Sequence, residues 1–328
     1  MAALHSAYTQ VFPPTPTFTE ANIPSQSGRI FMVTGGNTGV GFEIIKILYL
    51  KGAKVYMASR SQEKAEAAIQ TILALPHDTT GQINYLHLDL SDLASVKEAA
   101  QEFAQQEERL DVLWNNAAIG VGAFPAGSKT KQGHQMHIGV NCLGPFLLTT
   151  LLLPQLRAAA STAPANTVRI IWTSSAVVDS SAPKGGVPMA ELMAPSTSQS
   201  LTYTISKAGN WLLASEFALR HGRDGIVSLT MNPGNLNTKL LAGIPAIMRI
   251  LVKPILHPPK MGSYTALWAG LSPDITVEDG GKYGIPWGRW HSAPRKDILD
   301  GLKTKEEGGT GEAAEFWTWC EEQTKEFT

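Results

Sequence analysis

The chain has 328 residues, two cysteines and a nearly balanced charge, 27 Lys+Arg against 28 Asp+Glu. That length favours one α/β domain with extensions, and the balance leaves no electrostatic footprint for nucleic acid or an anionic membrane. Cys142 and Cys320 cannot make a disulfide framework, which predicts a reducing compartment, and neither sits in a Cys/His constellation.

Met1 to Ser27 lacks Lys and Arg and has no apolar core of a signal peptide, so a cytoplasmic location is expected. Phe12-Pro-Pro-Thr-Pro predicts extended chain, and residues 1–27 read as a strap over the domain surface. A catalytic domain is expected over 28–290, followed by a helical extension over 291–328. Ile30 to Val33 is an apolar strand, followed by a turn with glycines at 35, 36, 39 and 41 and a helix with apolar residues at 40, 44, 45, 47 and 48. Ala53–Ser59 is a second strand. A helix over Glu63–Leu75 is stopped by Pro76. Gln82–Leu88 is a third strand, and Asp92 is placed to cap a helix over Leu93–Gln106. Leu110–Trp114 is a fourth strand. A long helix is expected over Gln132–Arg157 although Pro145 lies inside it. Val168–Thr173 and Ile226–Met231 are strands flanking a helix over Leu201–His221, and Tyr283–Trp287 is the last strand. Glu312–Phe327 reads as a helix behind a flexible joint at Gly308-Gly309 and Gly311. Strands and helices alternate at βαβ spacing, so the predicted fold class is α/β, a Rossmann-type doubly wound parallel sheet in a single domain.

In such sheets ligands sit beyond the carboxyl ends of the strands. The first strand ends in Thr34-Gly35-x-x-x-Gly39-x-Gly41, where backbone N–H groups and a helix N-terminus can meet a pyrophosphate. The second ends in Ser59-Arg60. An acidic residue there would hold a ribose diol; Arg60 instead suits a 2′-phosphate or stacking on adenine, which favours NADP(H) over NAD(H). Asp89-Leu90 follows the third strand, and its carboxylate suits either an adenine amino group or a helix cap. Asn115-Asn116-Ala117 follows the fourth and can hold neighbouring backbone and the adenine ribose. The fifth delivers Ser174 and Ser175. Tyr203 and Lys207 stand one helical turn apart, and an ammonium beside a phenol lowers the phenol pKa from its usual value of about 10. Alone, that spacing recurs as a core tyrosine and a surface lysine; after a glycine turn and a Ser-Ser strand end it reads as a proton donor with its partner. His134 and His137 share a helix face, but no third ligand accompanies them and no metal is expected.

Together these motifs resemble the short-chain dehydrogenase/reductase family, over roughly residues 28–290. Asn37-Thr38-Gly39-Val40-Gly41, Arg60 and the Trp-rich tail are similar to retinol-dehydrogenase-like and WW-domain-oxidoreductase-like members, especially from filamentous fungi. The resemblance implies that Tyr203 exchanges the proton at the substrate oxygen and that Lys207 holds the nicotinamide ribose. It assigns the substrate oxygen to Ser175 rather than Ser174. Asn141 would hold a water relaying protons to Lys207. Thr238 would contact the carboxamide, with Pro233-Gly234 and Leu236 shaping that pocket. Ala118 departs from the family's usual glycine, and Pro145 is expected to kink the helix carrying Asn141.

The expectation is an NADP(H)-dependent oxidoreductase interconverting a carbonyl and its alcohol, in lipid or secondary metabolism. Leu236, Leu240, Leu241, Ile244, Ile247, Met248, Ile250 and Leu251 make a flap near 235–260 apolar, with Val177–Met193 as the opposite wall. A hydrophobic small-molecule substrate follows. No bilayer span is expected, nor membrane association through Ile244–Leu256; a homo-oligomer is compatible with the sequence. Two alternatives share the fold: a non-redox isomerisation, dehydration or cyclisation, and a dinucleotide binder without turnover.

Overall fold

The computed structural model describes residues 2–76, 78–238 and 252–328. The apolar runs become strands β1 (Ile30–Thr34), β2 (Lys54–Ser59), β3 (Gln82–His87), β4 (Val112–Asn115), β5 (Val168–Thr173), β6 (Ile226–Met231), β7 (Tyr283–Ile285) and β8 (Arg289–Trp290). They form one sheet in the order β3-β2-β1-β4-β5-β6-β7-β8. Every pairing is parallel except β7 with β8. Strand order reverses between β1 and β4, which opens a crevice at the carboxyl ends.

The helices are α1 (Ala2–Val11), α2 (Gly39–Leu50), α3 (Gln62–Leu73), α4 (Leu93–Gln106), α5 (Gly144–Leu151), α6 (Leu153–Ala160), α7 (Gln199–His221), α8 (Pro259–Leu271) and α9 (Glu312–Thr324). Alternation along the strands splits the core in two. Phe31, Val33, Val55, Met57 and Trp114 pack with α2, α3 and α8. Met32, Tyr56, Leu113, Ile170 and Trp172 pack with α4, α5, α6 and α7. Arg169 is buried within β5, yet its guanidinium donates to the carbonyls of Asn166, Ala269, Ser272 and Ile275. A strand arginine thus closes the C-terminal end of α8, whose last carbonyls have no intrahelical donors.

Four expectations need correction. The N-terminal strap begins as a ten-residue helix, α1, and only the proline-bearing chain after it is extended. The long helix over 132–157 starts at Met136, widens into a π turn over Gly139–Leu143, and breaks again at Leu152 before α6. Pro145 has no N–H to give the carbonyl of Asn141, so an unbroken α-helical ladder cannot run through this point. The last strand ends at Ile285 and turns back as β8. The Gly308–Gly311 joint is a hydrogen-bonded turn, with Gly309, Thr310 and Gly311 donating to Thr304, Asp300 and Lys303. Behind it, α9 lays Trp317 between Phe146 and Phe217 at ring separations of 4.9 and 4.6 Å.

The segment holding Leu240, Leu241, Ile244, Ile247, Met248, Ile250 and Leu251 lies outside the described residues. No single helix among the described residues is long and apolar enough to cross a membrane.

Candidate active site

A cavity of about 1360 Å³ lies across the carboxyl ends of β1 to β6. Its floor at one end is the glycine turn. Gly35 and Gly39 adopt φ of +67° and +61°, which side chains disfavour. A Cβ at Gly41 would stand 2.5 Å from the Gly35 carbonyl oxygen and 2.7 Å from Asn116 Nδ2. Thr34 ties this turn to β4: its hydroxyl accepts from the Asn116 and Ala117 N–H groups at 3.0 and 2.9 Å, and Asn116 Nδ2 donates to the Thr34 carbonyl. Asn37, Thr38, Gly39 and Val40 line the cavity, and Thr38 begins α2 without a side-chain cap bond. The first N–H groups of α2 therefore point at the space a ligand would fill.

Ser59 and Arg60 follow along the wall. Ser59 Oγ is buried with no partner, and Arg60 is exposed. Asp89 is not a helix cap, because Asp92 caps α4 by accepting from Ala94. Asp89 instead accepts from the Ser91 N–H and hydroxyl at 2.9 and 2.6 Å and lines the cavity beside Leu90. Ala117, Ala118, Pro233, Gly234, Leu236 and Thr238 also reach it. A Cβ at Gly39 would come 3.6 Å from Thr238, so the two ends of the chain's cofactor motif close on one space.

At the far end Ser175, Tyr203 and Lys207 converge on the same cavity. Ser174 Oγ is committed to the Lys207 carbonyl at 2.8 Å, whereas Ser175 presents its hydroxyl to Tyr203. Lys207 is buried, and its Nζ donates to the Thr173 carbonyl at 3.0 Å. Its Nζ stands 5.8 Å from the centre of the Tyr203 ring.

The sequence matches the model of the short chain dehydrogenase family over residues 29–247. The chain is a short-chain dehydrogenase/reductase. A short-chain dehydrogenase/reductase of Pestalotiopsis fici is 44% identical over 330 residues, covering 99% of each chain. Another, of Neocamarosporium betae, is 45% identical over 327 residues, covering 99% of this chain and 94% of that one. Among solved structures, a protein of Mycobacterium paratuberculosis is 30% identical with a TM-score of 0.68, covering 94% of this chain and 97% of the other. RhlG of Pseudomonas aeruginosa, solved as an NADP active-site complex, is 25% identical with a TM-score of 0.61, covering 81% and 98%.

In this dehydrogenase/reductase the electrostatics differ from the sequence expectation. Burial pushes the Tyr203 phenol up to about 12, and the Ser175 hydrogen bond only moderates this. Burial outweighs the neighbouring lysine, whose Nζ is engaged on Thr173 and whose own pKa burial lowers to about 8. Tyr203 is thus held as a neutral acid.

Asn141 does not itself line the cavity. Its Nδ2 donates to the Ile119 carbonyl and Ser206 Oγ, and its Oδ1 accepts from the Ile119 N–H. These bonds fasten the π turn to the loop after β4 and to α7. Gly41 likewise stays behind the cavity surface.

Other lining residues carry no motif. Ile119, Val121, Phe124, Met136, Val140, Leu201 and Leu256 make the far end apolar, while Val177–Met193 contributes only Val177 and Ser181. Val178, Val187 and Leu192 of that loop turn into the core, while Met193 is exposed. The apolar run after β4 was the available signal for the missed wall. His137, weighed as a metal ligand, is buried with Nδ1 on Thr202 Oγ1 at 2.9 Å and Nε2 on the Gly120 carbonyl at 3.3 Å. Its ring meets Phe124 and Tyr203 edge-on at 4.8 and 5.7 Å. Burial holds it neutral, down to about 4. Among the described residues no three metal-ligating side chains come together.

The residues present fit a nicotinamide dinucleotide. The glycine turn leaves a cradle open to a pyrophosphate and holds its shape only because Gly41 carries no Cβ to press on Gly35 and Asn116, and Ser59 Oγ is a buried hydroxyl without a partner among the described residues.

Proposed function

We infer that the protein is an NADP(H)-dependent reductase of hydrophobic carbonyl compounds, working reversibly on the alcohol. The observation that carries this reading is the convergence of Ser175, Tyr203 and Lys207 on the apolar end of a cavity whose other end is the glycine cradle. NADP(H) is favoured over NAD(H) because the end of β2 offers Ser59 and Arg60 and no carboxylate to a ribose. The NADP complex of RhlG points the same way. Ser59, Arg60 and the glycine turn would hold the adenosine phosphates. Asn116 and Ala117 would meet the adenosine, and Pro233, Gly234, Leu236 and Thr238 the nicotinamide end.

When bound, the cofactor supplies the hydride. The substrate oxygen lies between the Ser175 and Tyr203 hydroxyls. Ser175 donates a hydrogen bond that orients the carbonyl and stabilises the charge developing on its oxygen. Tyr203, protonated across the physiological range, gives its proton to that oxygen. The phenolate so formed is stabilised by the Lys207 ammonium on the next turn of α7, and Lys207 retains that charge below about pH 8. In the alcohol direction the same phenol must first lose its proton, so its raised pKa keeps the form competent for oxidation scarce near neutrality.

The walls Ile119, Val121, Phe124, Met136, Val140 and Leu201 fit an apolar body carrying the carbonyl, such as a lipid aldehyde, a retinoid-like compound, or a polyketide or terpenoid intermediate. The retinol-dehydrogenase-like placement is part of this reading and rests on Asn37–Gly41 with Arg60. The deciding experiment offers purified protein and NADPH a panel of apolar and small polar carbonyls and follows loss of the reduced nicotinamide. Turnover of the apolar set is expected. Turnover confined to small polar ketones overturns the substrate class, and substrate loss without nicotinamide oxidation overturns the redox reading.

A further inference from the structure

Helix α1 lies outside the family match, which begins at residue 29. Its two faces differ. Leu4 and Tyr8 are 78% and 62% exposed, whereas Ser6 and Gln10 are 2% and 5% exposed. The buried pair reaches the active site from behind. Gln10 Oε1 accepts from Asn232 Nδ2 at 2.9 Å, and Gln10 Nε2 donates to Asp179 Oδ2 at 3.0 Å.

Those two partners belong to opposite sides of the reacting region. Asn232 lines the cavity at the end of β6, and its Oδ1 accepts from the Gly234 N–H at 2.9 Å, which sets the Asn232-Pro-Gly turn. Asp179 sits in the short helix Val177–Ser181 directly after Ser175. His291 completes the arrangement. The Ala293 N–H donates to its Nδ1 at 3.2 Å, so Nδ1 is the bare nitrogen, and its Nε2–H donates to Asp179 Oδ2 at 2.8 Å. Ser6 Oγ then donates to Nδ1 at 3.3 Å. Ser–His–Asp is the order of a nucleophilic relay. Here the serine hydroxyl is buried, serves a nitrogen already occupied by a backbone donor, and does not line the cavity. It is a clamp. Arg289 fixes the same helix by donating to the Thr9 carbonyl at 2.9 Å.

We propose that α1 is a working part of the active site, with Gln10 as a positioning residue that sets the Ser175 turn against the Asn232–Gly234 turn. This rests on the reading of Ser175 as the group that orients the substrate oxygen and of Asn232–Gly234 as the nicotinamide end. Gln10 carries both a donor and an acceptor on one side chain, which is what bridging a carboxylate and an amide N–H demands. Losing it leaves the buried Asn232 amide unpaired and frees the Ser175 turn from its anchor. The phosphate-binding end is built by other elements and is not affected.

The test compares full-length wild type, Gln10→Leu and Gln10→Glu by hydrogen exchange, by NADPH affinity from fluorescence, and by kcat and KM on a carbonyl that the wild type reduces. Gln10→Leu is expected to speed exchange in 175–182 and in 231–235, and to lower kcat about tenfold with NADPH affinity changed less than about threefold, because small displacements of reacting groups cost rate rather than cofactor binding. Gln10→Glu keeps an acceptor for Asn232 but faces Asp179 with a second carboxylate. It should loosen 175–182 alone, and it carries the test if Gln10→Leu does not fold. Faster exchange confined to residues 2–12, or an unchanged kcat, overturns the proposal and leaves α1 a surface strap. If the wild type reduces no carbonyl, the functional reading fails, while the exchange pattern still decides whether the clamp exists.

Discussion

The two ends of the cavity are built by different means. The cofactor end is backbone: positive-φ glycines, a strand reversal, helix N–H groups and one threonine stitching β1 to β4. The substrate end is side chains from distant parts of the chain, with Gln10 meeting Asp179 and Asn232, and His137 meeting Thr202 and Gly120. Backbone cradles tolerate almost no change at a few positions and indifference elsewhere. Side-chain walls can be retuned one residue at a time, which suits a fold that keeps its cofactor and varies its substrate.

The largest effect should fall where the two ends meet. Tyr203→Phe removes the proton donor and leaves the cradle intact, so kcat should fall about 10³-fold while NADPH affinity stays within about threefold. Equal loss of both would erase the distinction between the ends. Next comes the cradle itself. In Gly41→Ala the new methyl meets the Gly35 carbonyl and the Asn116 amide, and these backbone-anchored groups cannot swing away. NADPH affinity should drop about 10- to 100-fold, the cost of overpacking a rigid contact. Arg60→Ala should be milder and selective. One lost charge-assisted contact weakens NADPH about tenfold and NADH hardly at all. Equal weakening of the two cofactors would remove Arg60 from the 2′-phosphate.

A fourth test uses pH. Lys207 is lowered to about 8, so it is charged below that value and neutral above it. If its charge stabilises the Tyr203 phenolate, kcat/KM for carbonyl reduction holds steady up to about pH 8 and declines beyond it, approaching tenfold per pH unit. A profile flat to pH 10 would mean that the lysine only positions neighbours.

The contrast also explains what the sequence disclosed. Backbone devices leave periodic, local marks, and the strands, the glycine turn and the Tyr203/Lys207 spacing were all legible at nearly the right residues. Long-range side-chain bonds leave none. Nothing local in Ala2–Val11 announces that Ser6 and Gln10 will be buried against His291, Asp179 and Asn232, and the prolines after the helix suggested extended chain instead. Pro145 signalled a break but not its form, since a π turn and a straight kink both accommodate a missing N–H. The direction of the Tyr203 pKa is hidden from the sequence for a related reason. The neighbouring lysine is local and visible, whereas the burial that outweighs it is a property of the packed cavity.

The smallest expected effect concerns the wall that His137 holds. The folded protein resists protonating this imidazole down to about pH 4, while the unfolded chain binds the proton near 6.5. Between those values the unfolded state carries more protons, so His137 makes stability fall as pH drops from 6.5 toward 4. His137→Gln can still donate to the Gly120 carbonyl and accept from Thr202, and it has nothing to titrate. Urea unfolding at pH 7 and pH 5 should therefore show wild type losing about 1 to 2 kcal/mol more than the variant. His134 and His221 are also pushed down but are common to both proteins, so they cancel in the difference. An equal loss in the two proteins would mean that the imidazole takes up a proton in place. The substrate wall would then be more open to water than its packing against Phe124 and Tyr203 implies.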